Sequence, residues 1–131
     1  MITDLIPQRE PILMVDNAYV NEVGIVETTL TVCKDNWFCK DDHFLEAGMV
    51  EHMAQSAAAM VGLSNQGEQP HIGYIGDIKN FKQYRLPAVG ETIITNVTIV
   101  MQMENITLIE ATSRVNEAVV AEARIKVFIV D

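Results

Sequence analysis

The chain has 131 residues, enough for one domain with a substantial hydrophobic core. Hydrophobic residues make up 49% and charged residues 21%, which excludes a disordered tail and a membrane protein. The 18 acidic against 9 basic residues leave a net charge of -9, which argues against non-specific binding to nucleic acid or to an anionic membrane surface. No apolar run reaches the roughly 18 residues that a membrane-spanning helix needs. The start, MITDLIPQRE, lacks a cationic stretch ahead of an apolar one, so no signal peptide is expected. Cys33 and Cys39 are the two cysteines, too few for a disulfide scaffold, and a cytoplasmic location with reduced thiols is expected. With no repeat, low-complexity tract or linker, residues 1–131 read as one domain.

In chain order, a short strand pair is predicted around Met14 to Val20 and Ile25 to Val32, with Asn21 to Gly24 turning the chain. The segment AGMVEHMAQSAAAMVGL then changes texture. It holds good helix formers and no proline, and Gly62 followed by Ser64 and Asn65 offers a stop. About 16 residues would span roughly 24 Å. Apart from Glu51, His52 and Gln55 its positions are apolar or small all round, the pattern of a buried helix. An extended segment, His71 to Lys82, precedes a loop holding Leu86, Pro87 and Gly90. ETIITNVTIVMQM is rich in β-branched residues and ends at a turn, Glu104-Asn105. Next, Ile109, Ala111, Ser113 and Val115 alternate with Glu110, Thr112 and Arg114, and Asn116-Glu117 turns the chain again. From Val119 onward, Ala121, Ala123, Ile125, Val127 and Ile129 alternate with their neighbours. These strands form an antiparallel meander. The class is α+β: a curved antiparallel sheet wrapped around one long central helix.

Glu51 is the first candidate for chemistry. A carboxylate in an apolar helix is costly to bury, and desolvation outweighs the pull of the helix N-terminus, favouring the protonated proton donor. His43 lies eight residues earlier, in DDHFLEAG, where an imidazole suits a general base at neutral pH; an exposed loop histidine beside Asp41 and Asp42 fits the same composition. His52 sits about 100° round the helix from Glu51 and is expected to meet solvent, a neighbouring strand or a second subunit. His71, after Pro70, reads as a surface residue. The spacings match no metal motif, nucleophile elbow or phosphate loop. The seven methionines fit core packing, or a pliable lining for an acyl chain.

Three segments together resemble the hotdog-fold 3-hydroxyacyl-acyl carrier protein dehydratases of the FabZ type. LIPQREPILMVD (Leu5 to Asp16) is similar to the family's opening segment. Glu51-His52-Met53-Ala54-Gln55 resembles its Glu-Ala-x-Ala-Gln helix motif, and GDIKNFKQYRLPAVGETI (Gly76 to Ile93) its basic stretch before Pro-x-x-Pro-Gly-Asp. Asp42-His43-Phe44-Leu45 keeps only His-Phe of the family's Gly-His-Phe-Pro, the loop to Glu51 is shorter, and Gln8 replaces the opening histidine. This matches a divergent, short-loop branch.

The resemblance implies a hotdog fold and dehydration of a 3-hydroxyacyl thioester to the trans-2-enoyl product in fatty-acid or polyene-type biosynthesis. His43 would take the α-proton and Glu51 would protonate the leaving hydroxyl. Backbone N–H groups of Gly48 and Met49 would polarise the thioester carbonyl, and Gln55 would orient the Glu51 carboxyl or pack at the rim. The two catalytic residues would come from opposite subunits of a homodimer, with no cofactor or metal. An acyl carrier protein or another acyl thioester is the expected partner. Lys79, Lys82 and Arg85, joined by Arg9, would dock the acidic carrier; a basic strand edge that deters aggregation is the alternative. On a regular strand Lys79 faces away from Lys82. The alternatives in function are a hotdog acyl-thioester hydrolase and a non-catalytic acyl-binding partner subunit.

Overall fold

A computed structural model describes residues 1–64 and 72–130. His71 lies outside the described residues. After a short 3₁₀ turn at Ile2–Asp4 come β1 (Asn17–Val20), β2 (Val26–Thr31), β3 (Cys39–Lys40), β4 (His43–Phe44), helix α1 (Glu46–Ser64), β5 (Ile72–Gln83), β6 (Thr92–Met103), β7 (Ile106–Val115) and β8 (Ala118–Val130). Six strands form one antiparallel sheet in the order β1-β2-β6-β7-β8-β5, and β3 and β4 form a separate small hairpin. This is the hotdog architecture, with α1 packed against strands across the whole sheet.

The period of two decides which face of each strand meets the helix. In β7, Thr107, Ile109, Ala111, Ser113 and Val115 are buried, and in β8 so are Ala121, Ala123, Ile125 and Val127. Against them α1 buries Met49, Met53, Ala57 and Met60. Full burial of each such large apolar side chain contributes roughly 1.5–3 kcal/mol. The tight turn between β7 and β8 takes Asn116 and Glu117 to φ 50° and 70°, the twist a two-residue hairpin requires.

The β5 strand departs from a regular ladder. Lys79 pairs with Arg124 and Lys82 with Glu122, so three steps on β5 match two on β8, with a register shift between them and Asn80 at φ 54°. The extra residue is a bulge. It corrects the regular-strand expectation: Lys79 and Lys82 stand on the same outer face, because their partners Arg124 and Glu122 are two residues apart.

Candidate active site

Helix α1 grips the chain segment ahead of β1 through two polar side chains. Gln55, 1% exposed, donates from Nε2 to the Ile12 carbonyl (2.8 Å) and to Glu51 Oε1 (3.0 Å), while its Oε1 accepts from the Met14 N–H (2.6 Å). Both amide protons and the carbonyl are thus engaged, which fixes the side chain and holds one carboxylate oxygen of Glu51. Glu51 is half-buried, less enclosed than its apolar helix context implies.

His52 is fully buried and meets a neighbouring strand, the second of its three expected surroundings. A carbonyl can only accept, so Nδ1–H donates to the Met14 carbonyl (2.7 Å), and Nε2 accepts from the Thr95 hydroxyl on β6 (2.7 Å). With its proton directed at His52, Thr95 accepts in turn from Ser113 on β7 (2.6 Å). Burial pushes the His52 imidazole down to about 4, against the opposing effects of the Met14 bond and the Asp16 charge. His52 is therefore neutral near pH 7 and ties helix, strands and the 12–14 segment together.

His43 stands at the start of β4, paired with Lys40, after a tight turn in which Asp41 and Asp42 take φ 53° and 62°. It is exposed, and its Nδ1–H donates to the Asp41 carbonyl (2.9 Å). That bond selects the tautomer in which Nε2 keeps its lone pair and can accept a proton. The hairpin is fastened to the loop after β5: Phe44 N–H donates to the Pro87 carbonyl (2.8 Å) and Val89 N–H to that of Asp42 (2.9 Å). The loop is closed by Arg85, whose guanidinium meets both Glu91 oxygens (2.8 and 3.0 Å), and by the Ala88 N–H on Glu91 Oε1 (2.7 Å). Arg85 first and then the Ala88 amide hold the Glu91 carboxyl down to about 2. This brace was not visible as such in the sequence; the only signal was a cation and a carboxylate on either side of Pro87 and Gly90. Within one chain, His43 and Glu51 share no hydrogen bond or ion pair.

The helix N-terminus corrects one expectation. The Met49 N–H already donates to the Leu45 carbonyl (3.1 Å), closing the first helical turn, so it is not free for a thioester oxygen. Gly48 lies one residue earlier, in the turn whose amides have no helical acceptor. A β-carbon at Gly48 would come within 2.5 Å of Phe38 Cβ and 2.6 Å of Phe44 Cε1, so only glycine lets the helix start press against the hairpin.

The four basic residues sit in different surroundings. Lys79 meets Asp77 (3.5 Å), Arg85 is held by Glu91, and Lys82 lines an outer-face groove of about 290 Å³ with Glu110, Glu122 and Arg124. Arg9 donates to the carbonyls of Thr3, Ile6 and Gln8. Among the described residues no three His, Cys, Asp or Glu side chains converge as metal ligands, and no helix is long and apolar enough to cross a membrane.

The whole chain, residues 1–131, matches the model of the ApeP-like family, described as ApeP dehydratase. The chain belongs to the ApeP-like dehydratase family. It is thus a dehydratase-like lyase of the FabZ/ApeP type. The 3-hydroxyacyl-[acyl-carrier-protein] dehydratase FabZ of Lactobacillus helveticus is 26% identical over 140 aligned positions, covering 99% of this chain and 91% of that protein. Among solved structures, the dehydratase heterocomplex ApeI:P from Xenorhabdus doucetiae superposes with a TM-score of 0.86 at 16% identity, over 99% of this chain and 91% of that one. A hypothetical thioesterase with coenzyme A from Streptococcus pneumoniae has a TM-score of 0.68 at 12% identity, over 88% and 84% of the two chains. The ApeP-like family assignment and the six-stranded sheet around α1 agree on the hotdog fold.

Proposed function

We propose that this ApeP-like protein removes water from a 3-hydroxyacyl thioester, carried by an acyl carrier protein, to give the trans-2-enoyl thioester. His43 Nε2 takes the α-proton. The electron pair of that C–H bond becomes the new C=C bond as the C–O bond breaks, and protonated Glu51 gives its proton to the departing hydroxyl, which leaves as water. Proton exchange with solvent then resets both groups. The Gly48 N–H is the amide assigned to the thioester oxygen, and Gln55 is a positioning residue that keeps the Glu51 carboxyl aimed. The observation that carries this reading is the His43–Asp41 bond, which leaves an acceptor nitrogen on a braced hairpin that leads directly into the helix bearing Glu51.

Because His43 and Glu51 do not touch within one chain, the working site is assigned to an oligomer in which each comes from a different hotdog subunit, in the simplest case a homodimer. The twelve-residue strand β5 at the edge of the sheet supports this, since a long unpaired edge favours strand addition. Carrier docking is assigned to the face bearing Lys79 and Lys82, with Arg85 held back by its carboxylate partner. Glu51→Gln keeps the shape but cannot donate the proton, and should lower turnover by about 10²–10⁴-fold. Enoyl absorbance and free thiol, followed together on 3-hydroxyacyl thioesters, test the proposal. Near-wild-type enoyl formation by Glu51→Gln refutes the mechanism, and thiol release in place of enoyl product refutes the reaction.

A further inference from the structure

The two cysteines, far from being scattered, are folded back onto each other beside the hairpin that carries His43. The chain from Cys33 makes two successive turns, Asn36 N–H donating to the Cys33 carbonyl (3.1 Å) and Cys39 N–H to that of Asn36 (3.0 Å). These turns return Cys39 so that its Sγ lies 3.3 Å from the Cys33 carbonyl oxygen. Cys33 is exposed and lines a cleft of about 500 Å³ with Met14, Asp35 and Trp37, open to small solutes. Its thiol leans on the Thr31 carbonyl at 3.6 Å, a weak contact that rotation about the Cα–Cβ bond gives up at little cost. Cys39 is partly buried against the core, so Cys33 is the thiol that a solute meets first. Both thiols are free.

We propose that Cys33 and Cys39 form an oxidisable thiol pair, a modification site for hydroperoxides whose disulfide state displaces the His43 hairpin. The Cys33 thiolate attacks one oxygen of hydrogen peroxide; the O–O bond breaks, giving a sulfenic acid and hydroxide. The Cys39 thiolate then attacks the Cys33 sulfur; the S–S bond forms, the S–O bond breaks and a second hydroxide leaves. The two thiol protons and the two hydroxides make two waters, so two thiols are oxidised and one peroxide is reduced. Burial first, and then Cys33, Asp35 and Asp42, push the Cys39 thiol up, so the second step accelerates with rising pH.

The link to the site is short. Cys39 is the first residue of β3, its register partner is Phe44, and the next pair is Lys40 with His43. Drawing Cys39 toward Cys33 strains a two-residue ladder whose other strand begins at His43. The modification stands by itself; its effect on turnover depends on the role proposed for His43.

The test treats the intact protein with a small excess of hydrogen peroxide and follows mass, free thiols and hydrogen exchange, with turnover measured in parallel. The expected result is a mass lower by two hydrogens, a Cys33–Cys39 cross-linked peptide, faster exchange at Lys40 to Phe44, and full reversal by dithiothreitol. Turnover should fall by about a hundredfold in the oxidised fraction, the lower end of what losing a general base costs, and the Cys33→Ser/Cys39→Ser protein should be insensitive. Sulfinic acid on Cys33, intermolecular cross-links or two persistently free thiols overturn the pairing. A disulfide that leaves exchange at Lys40 to Phe44 unchanged overturns the coupling to the hairpin. If the untreated protein makes no enoyl product, the proposed reaction has failed, and mass and exchange still decide the thiol pair.

Discussion

Lowering the pH should destabilise this protein through His52. The imidazole has an ordinary value near 6.5 and lies at about 4 in the folded chain, where burial disfavours its charge. Between those values the unfolded chain binds a proton that the folded chain refuses, so stability is complete above about 6.5 and falls as the pH drops towards 4. Integrated between about pH 7.5 and pH 5, the two values give a loss of about 2 kcal/mol. Urea unfolding at a fixed protein concentration measures it, since the slope of ΔG against urea does not change when only a proton is lost or gained. The control is His52→Asn, whose amide can still donate to the Met14 carbonyl but does not titrate. At neutral pH the variant should be less stable by about 1–3 kcal/mol, because Thr95 loses its acceptor and the ring leaves a small void. His43 and the carboxylates are common to both proteins, so the difference in pH dependence isolates His52. An Asn variant that loses the same 2 kcal/mol over that interval would show that the buried imidazole is not the titrating group.

Other expectations follow from single features. Glu117 sits at φ 70°, so Glu117→Gly, which makes the turn Asn-Gly, should stabilise by about 1 kcal/mol and raise Tm by about 3 °C; a lower Tm in a thermal scan contradicts this. Gly48→Ala drives a methyl into Phe38 and Phe44 and should cost about 1–3 kcal/mol in denaturant unfolding, with unchanged stability as the contrary result. Glu91→Ala frees Arg85 and the Ala88 amide from an exposed brace, so Tm should move little while kcat falls by up to about a hundredfold; equal loss in both would make Glu91 merely structural. Because the Glu91 carboxyl is held down to about 2, the brace is complete above the ordinary carboxylate range and lost only as pH falls towards 2, outside any neutral assay.

Most of the sheet was legible because each long strand buries one face. β7 and β8 declared themselves by alternating residues and β6 by its β-branched run, and their turns by Glu104-Asn105 and Asn116-Glu117, where a β-branched run could not take positive φ. The β3–β4 hairpin was illegible: two-residue strands contain no period, and the turn uses Asp41-Asp42 in place of the favoured Asn-Gly. The bulge at Asn80 was equally hidden, since the apolar pattern of Ile78 and Phe81 reads the same until the pairing with β8 is known. So the face shared by Lys79 and Lys82 emerged only from register.

The three polar residues of α1 show why the site was only partly readable. Glu51, His52 and Gln55 looked alike in sequence, as polar interruptions of an apolar helix. Their partners separate them. Met14 and Thr95 lie far from His52 in sequence and saturate both ring nitrogens, with Ser113 behind Thr95, so His52 is a tie between helix and sheet. Gln55 uses its whole amide, two bonds on the 12–14 segment and one on Glu51. Among the described residues Glu51 has one carboxylate oxygen on Gln55 and the other without a hydrogen bond, open to water or to a second molecule. Burial and satisfied hydrogen bonds therefore make His52 and Gln55 parts of the fold, and leave Glu51 half-buried. The proton-donor role proposed for Glu51 fits this asymmetry, since of the three it is the residue whose polar group is not spent on the fold.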